Sequence, residues 1–189
     1  YQSFDSLAFQ GLKPDTTEDA HRKMVGIVNR EPHKSSAIIR QLYLTAINNA
    51  KSHIQIINPY FTLNYKLKKA LRDAVKRGVK VEIMVSSHSD IPLTPDCVFY
   101  NVHCLMKRGA DIYLFNEGFH HSKIMMIDDQ FCTVGSANLN SRSLSFDYEE
   151  NALIMDKGTT KELSDMFNRD KENSTYLTPK TWKIFRNPW

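Results

Sequence analysis

The sequence predicts an α/β domain in which helices layer on a mixed β-sheet. Two observations carry this. Strand-sized apolar runs, such as 54–57 and 83–85, alternate with amphipathic segments of helical period, the pattern of strand–helix–strand units. Between 122 and 134 two runs are instead joined by the Asp128-Asp129 corner. Such a corner suits a tight hairpin turn, so the sheet also contains antiparallel strands.

The elements follow in chain order. Residues 1–33 show no sustained period, and Glu31-Pro32-His33 reads as a connection. This stretch is expected to be a linker or the tail of a preceding domain, with the domain proper spanning 34–189. Ile38, Ile39, Leu42 and Ala46 recur at helical spacing up to Ala50, with Ser35 or Ser36 as N-cap. A strand over 53–61 ends at Asn58-Pro59. An amphipathic helix over 64–77 is stopped by Gly78, and 79–85 is a strand. Thr94-Pro95 opens a helix that ends near Arg108-Gly109, because proline is tolerated at a first helical position. Strands are predicted over 111–115, 122–127, 131–134 and 149–155. Thr159-x-x-Glu162 reads as a capping box opening another helix, and Thr178-Pro179 starts a last short one.

Composition narrows the function classes. Hydrophobic residues make up 41% and charged residues 24% of 189, a globular usage rather than a disordered one. No apolar run approaches the length of about 18 that spans a bilayer. The formal charge of +4 permits an anionic partner without demanding one. Cys97, Cys104 and Cys132 are odd in number and lack C-x-x-C spacing, which fits a reducing compartment better than a disulfide or four-cysteine zinc framework.

One constellation carries chemistry: His121, Lys123, Asp128, Gly135, Ser136 and Asn138, an H-x-K-x4-D-x6-G-S-x-N pattern. From average residue usage its chance occurrence is on the order of 10⁻⁶. On a strand, His121 and Lys123 at i and i+2 share a face. A histidine beside a fixed cation suits a phosphate, the lysine supplying charge and the imidazole a nucleophile or an acid near neutral pH. Ser136 and Asn138 add neutral donors for a developing oxyanion. Glu149, leading a later strand, is the candidate to hold the imidazole's second nitrogen. Asp128, at a turn, suits a structural part better than a chemical one.

These residues are similar to the H-K-D signature of the phospholipase D superfamily. Asn58-Pro59-Tyr60-Phe61, the stretch 74–81, the acidic strand at Glu149 and the tail Ser136-Ala137-Asn138-Leu139-Asn140-Ser141-Arg142-Ser143 resemble bacterial cardiolipin synthases in particular. The resemblance covers about 35 to the C-terminus. It implies a phospholipase D-like fold, a mixed sheet with helices on both faces, and a phosphatidyltransferase working through a phosphohistidine. With Lys123 to supply the positive charge that metal-dependent phosphodiesterases take from ions on clustered carboxylates, no metal or other cofactor is expected. It assigns His121 as the reactive imidazole, nucleophile or general acid. Lys123, Ser136 and Asn138 become phosphate ligands, Glu149 the orienting acid, and Asp128 the signature aspartate.

The family's enzymes set two such motifs around one site, and this sequence has one; His21-Arg22-Lys23 matches only H-x-K. The expected protein is therefore the C-terminal half of a two-motif cardiolipin synthase. Its substrate would be phosphatidylglycerol and its place a bacterial membrane surface, with an anchor elsewhere and no nucleic-acid partner. The alternative is a homodimeric phosphodiesterase or nuclease of the same superfamily. The basic stripe Lys68, Lys69, Arg72 and Lys76 reads first as a solvated helix face and second as a contact for anionic lipid. The C-terminal Tyr176, Trp182, Phe185 and Trp189 read first as helix packing.

Overall fold

The computed structural model describes residues 23–32, 37–88, 90 and 94–186. Eight strands form one sheet: β1 (Met24–Arg30), β2 (His53–Ile57), β3 (Lys80–Ser86), β4 (Asp111–Phe115), β5 (Ile124–Ile127), β6 (Phe131–Gly135), β7 (Glu149–Met155) and β8 (Ser174–Tyr176). The helices are α1 (Ile38–Asn49), α2 (Tyr65–Lys76), α3 (Thr94–Met106), α4 (Ser141–Ser145), α5 (Lys157–Glu172) and α6 (Pro179–Arg186). The strand order is β1-β7-β6-β5-β2-β3-β4-β8. Strands β2, β3 and β4 run parallel, linked through α2 and α3, and every other pair is antiparallel. The mixed sheet follows from connection length: a helix is needed to return a parallel strand, while three residues suffice for the β5–β6 hairpin.

Both faces of the sheet are covered. Ile54, Ile56, Ile83, Val85, Met125 and Ile127 pack with Leu42, Leu67, Leu71 and Leu105 of α1–α3. Their strand neighbours Ile57, Met84, Ile124 and Met126 pack with Phe167 of α5 on the opposite face. Alternate residues of one strand thus enter two cores, which is why the central strands read as unbroken apolar runs. The α5 face also buries Glu82, only 3% exposed, against Lys171 and Lys80 (3.0 Å), with Gln55 donating to it at 3.1 Å. Burial raises the Glu82 carboxyl, but hydrogen bonds from Lys171, Lys80 and Gln55 outweigh it and leave the group below the usual range.

Several elements depart from the sequence reading. Residues 24–30, placed in a linker ending at 33, form an edge strand paired with β7 from Met24↔Met155 to Arg30↔Glu149. The sheet thus begins upstream of the expected boundary. Apolar Met24, Val25 and Ile27 are exposed there, so the strand lacks the in–out alternation that marks a half-buried one. Helix α5 is capped by Asp156, whose carboxylate accepts from Thr159 N at 2.6 Å, so its cap lies three residues before the expected Thr159. Strand β2 stops at Ile57, β5 begins at Ile124 rather than 122, and α4 and β8 had no sequence counterpart. Helix α1 begins at Ile38 with no side-chain cap at Ala37, and Ser35 and Ser36 lie outside the described residues.

On α2, Asp73 pairs with Lys69 at 2.5 Å and Lys76 at 3.7 Å, and Lys68 lies over the Tyr100 ring. The basic stripe is therefore a mixed-charge helix face. Trp182 of α6 stacks on His103 and meets Phe99 edge-on. Phe185 and Trp189 fall among residues whose side chains are not described.

Candidate active site

The signature residues other than Asp128, with Glu149, lie at one end of β5, β6 and β7. His121 and Lys123 sit in the segment leading into β5 rather than on the strand itself, and they differ in burial: His121 is exposed and Lys123 only 7% exposed. The Lys123 ammonium donates to the His121 carbonyl oxygen at 2.6 Å, closing a small loop over residues 121–123. Burial lowers the Lys123 pKa, opposed by the carboxylates of Glu149 and Asp90. A cation held in a low-dielectric spot with few neutralising partners suits an incoming anion.

The imidazole itself is framed by rings. Phe119 lies 5.3 Å away, centroid to centroid, and Tyr60 meets it edge-on at 6.0 Å. The Tyr60 hydroxyl donates to Asp90 at 2.5 Å. Burial, with the Asp90 hydrogen bond and charge, pushes the Tyr60 hydroxyl up to about 12, so it remains a proton donor at neutral pH. The neighbouring His120 faces elsewhere: its Nε2 lies 3.0 Å from Asp170 of α5, and its N–H donates to Ser86 Oγ at 2.8 Å.

Beyond β6 the chain is pinned by its backbone. Gly135 N donates to Lys123 O at 3.3 Å and Ser136 N to Glu150 O at 2.9 Å. A Cβ on Gly135 would stand 2.3 Å from Glu150 O and 2.5 Å from the Asn151 side chain, so only glycine permits β6 and β7 to approach this closely. Buried Asn151 donates to Tyr43 Oη at 3.1 Å and Thr133 Oγ1 at 3.0 Å, and accepts from Ala137 N. Asn58 accepts from Leu139 N at 3.2 Å. Asn138 is thereby held from both sides, and its Oδ1 is buried with no hydrogen-bond partner among the described residues.

Ser136 Oγ donates to the Glu149 carboxylate in a short contact and accepts from Glu150 N at 3.0 Å. Glu149 makes no hydrogen bond to His121 among the described residues, so the expected carboxylate–imidazole pair is replaced by carboxylate–serine. Asp128 is not brought to this group. It lies at the far end of β5, roughly 13 Å of strand away. There its carboxylate accepts from Lys51 N, Ser52 N and Ser52 Oγ at 2.8 Å and from His53 N at 3.0 Å. Burial raises its pKa, but those donors prevail and hold it below the ordinary carboxylate value.

Two features had no sequence counterpart. Arg30 of β1, 5% exposed, donates its two terminal nitrogens to the carbonyls of Ser145 and Asp147 and so fixes the loop between α4 and Glu149. An open cleft of about 480 Å³ runs from Tyr60 and Asn138 past Asn140 and Arg142. Among the described residues no three of His, Cys, Asp and Glu gather as metal ligands, and no helix is long and apolar enough to cross a membrane.

Residues 43–171 match the family model described as cardiolipin synthase, PLD-like domain. Cardiolipin synthase 1 of Staphylococcus epidermidis is 38% identical over 140 residues, which cover 74% of this chain and 29% of that protein. Cardiolipin synthase 2 of the same species is 34% identical over 178 residues, 94% of this chain and 36% of that protein. The chain thus spans about a third of the length of these relatives. In fold it is similar to Nuc, a phospholipase D family member from Salmonella typhimurium, with a TM-score of 0.70 at 20% identity over 82% of this chain and 99% of that one. Phosphatidylserine synthase of Haemophilus influenzae also gives 0.70, at 17% identity over 81% of this chain and 40% of that one. A fold, a signature and a family match that agree place the chain in the cardiolipin synthase, phospholipase D-like domain family.

Proposed function

We propose that the chain contributes one half of a phosphatidyl-transfer site that makes cardiolipin and glycerol from two molecules of phosphatidylglycerol. The observation that carries this is a buried ammonium bonded to the backbone of the residue that bears an exposed imidazole, at the same end of the sheet as the Ser136–Glu149 pair and Asn138. Lys123 supplies positive charge and Asn138 an amide donor where a phosphoryl group gains charge in the transition state, and the Ser136 hydroxyl joins them by turning from Glu149 to the phosphate. One imidazole attacks phosphorus, the phosphorus–oxygen bond to glycerol breaks, and a second imidazole gives that oxygen its proton. The free hydroxyl of another phosphatidylglycerol then attacks the phosphohistidine, the phosphorus–nitrogen bond breaks, and the hydroxyl proton passes to the second imidazole. His121 is one of the two imidazoles; the other comes from a second motif, in the same longer chain or a second copy, at a membrane surface.

The test uses the complete protein on phosphatidylglycerol vesicles. Wild type is expected to release cardiolipin and glycerol in equal amounts, and His121→Ala to give none while keeping its far-ultraviolet circular dichroism. Lys123→Ala should fall roughly 10²- to 10³-fold, the scale for removing one transition-state donor. His121→Ala turning over near the wild-type rate, or wild type cleaving an oligonucleotide and leaving the lipid intact, overturns the reading.

A further inference from the structure

The Asn140-Ser141-Arg142-Ser143 stretch takes no part in the reaction above, yet it lines the cleft that opens beside Asn138 and Tyr60. Its backbone is fixed. Asn140 Oδ1 accepts from Ser143 N at 2.8 Å, Phe146 N and Asp147 N both donate to Arg142 O, and Arg30 holds the carbonyls of Ser145 and Asp147. The Arg142 side chain, by contrast, is 83% exposed. Its Nε donates to Asp147 at 3.2 Å, and its two terminal nitrogens make no hydrogen bond among the described residues. A carboxylate on Nε fixes the plane of a guanidinium while leaving its end-on pair of donors available, and that pair matches the geometry of a phosphate.

We infer that this cleft binds the phosphodiester of the acceptor lipid, with Arg142 as its ligand. The inference rests on the phosphatidyl-transfer reading and extends it. Transfer to phosphatidylglycerol differs from transfer to water or a simple alcohol in one chemical respect: the attacking hydroxyl sits on a glycerol whose other end carries a second phosphate. When that hydroxyl reaches the phosphorus between His121 and Lys123, the second phosphate lies one glycerol away. The Arg142 cleft adjoins the reaction centre through Asn138, so a second anion would be met there by a pre-set guanidinium. Arg142 is thus a specificity residue for the acceptor and leaves the donor step alone.

The experiment compares complete wild-type enzyme with Arg142→Gln and Arg142→Lys on phosphatidylglycerol vesicles containing ethanol, an acceptor without phosphate. Arg142→Gln should lower cardiolipin formation about tenfold or more, the worth of a charge-assisted contact. Phosphatidylethanol formation should stay at the wild-type rate, which also reports an intact fold. Arg142→Lys, keeping charge without the fork, should fall between. Unchanged cardiolipin formation in Arg142→Gln overturns the inference, as does an equal loss of both products. If wild type makes neither product, the phosphatidyl-transfer reading itself fails and this inference with it.

Discussion

Asp128 shows how a signature residue serves a site that it does not touch. Its carboxylate ties the β5–β6 turn to residues 51–53 at the start of β2. The chain there turns through two successive left-handed residues, Asp128 and Asp129, both at φ +54°, a conformation that aspartate tolerates better than most side chains. Sequence alone gave the residue type and the turn; the backbone donors come from 75 to 77 residues away and leave no local mark. Asp128→Asn should destabilise the fold by about 2–3 kcal/mol, the range for hydrogen bonds to a charged group. Because the folded pKa lies below the unfolded value of about 3.9, this stabilisation is full above that value. It is lost as pH falls through the depressed folded pKa. Urea melts of wild type and Asp128→Asn should therefore differ at pH 7 and converge toward pH 2. A constant gap across that range contradicts the assignment.

Among the elements, β1 was missed in the sequence, although its Arg30 holds the loop before Glu149. An edge strand with exposed apolar residues offers neither alternation nor a buried run, so periodicity could not find it. The β2-to-β7 core was legible because each strand is bounded by its own turn or cap. The hairpin places Lys123 and Gly135 opposite each other through local contacts alone. The supports that orient the site are long-range: Arg30 on 145 and 147, Asn58 on 139, Tyr43 and Asn151 around 137. Arg30→Ala should cost about 2–4 kcal/mol for its two charged hydrogen bonds. Amide hydrogen exchange should quicken over 142–150 while protection in β2 and β3 is kept. Protection unchanged over 142–150 would show that the loop is held by other contacts.

As a whole molecule, this chain is proposed as one side of a two-imidazole site. Double displacement at phosphorus needs a nucleophile on one side and an acid on the other at the same moment, because the attacking nitrogen and the leaving oxygen are in line. His121 can occupy only one of those places. His120 is engaged with Asp170 on the α5 side, and Lys23 of the partial upstream match binds Asp156 and Thr159 instead. In the proposed reaction the second histidine comes from a second motif. Two copies about a two-fold axis are a geometric route to the same site. The decisive measurement is cardiolipin formation by these 189 residues on phosphatidylglycerol vesicles as a function of protein concentration, with mass followed by light scattering. The account predicts no turnover where the chain is monomeric, and activity that rises only with dimer or with an added second half. Constant specific activity from a strict monomer would contradict it.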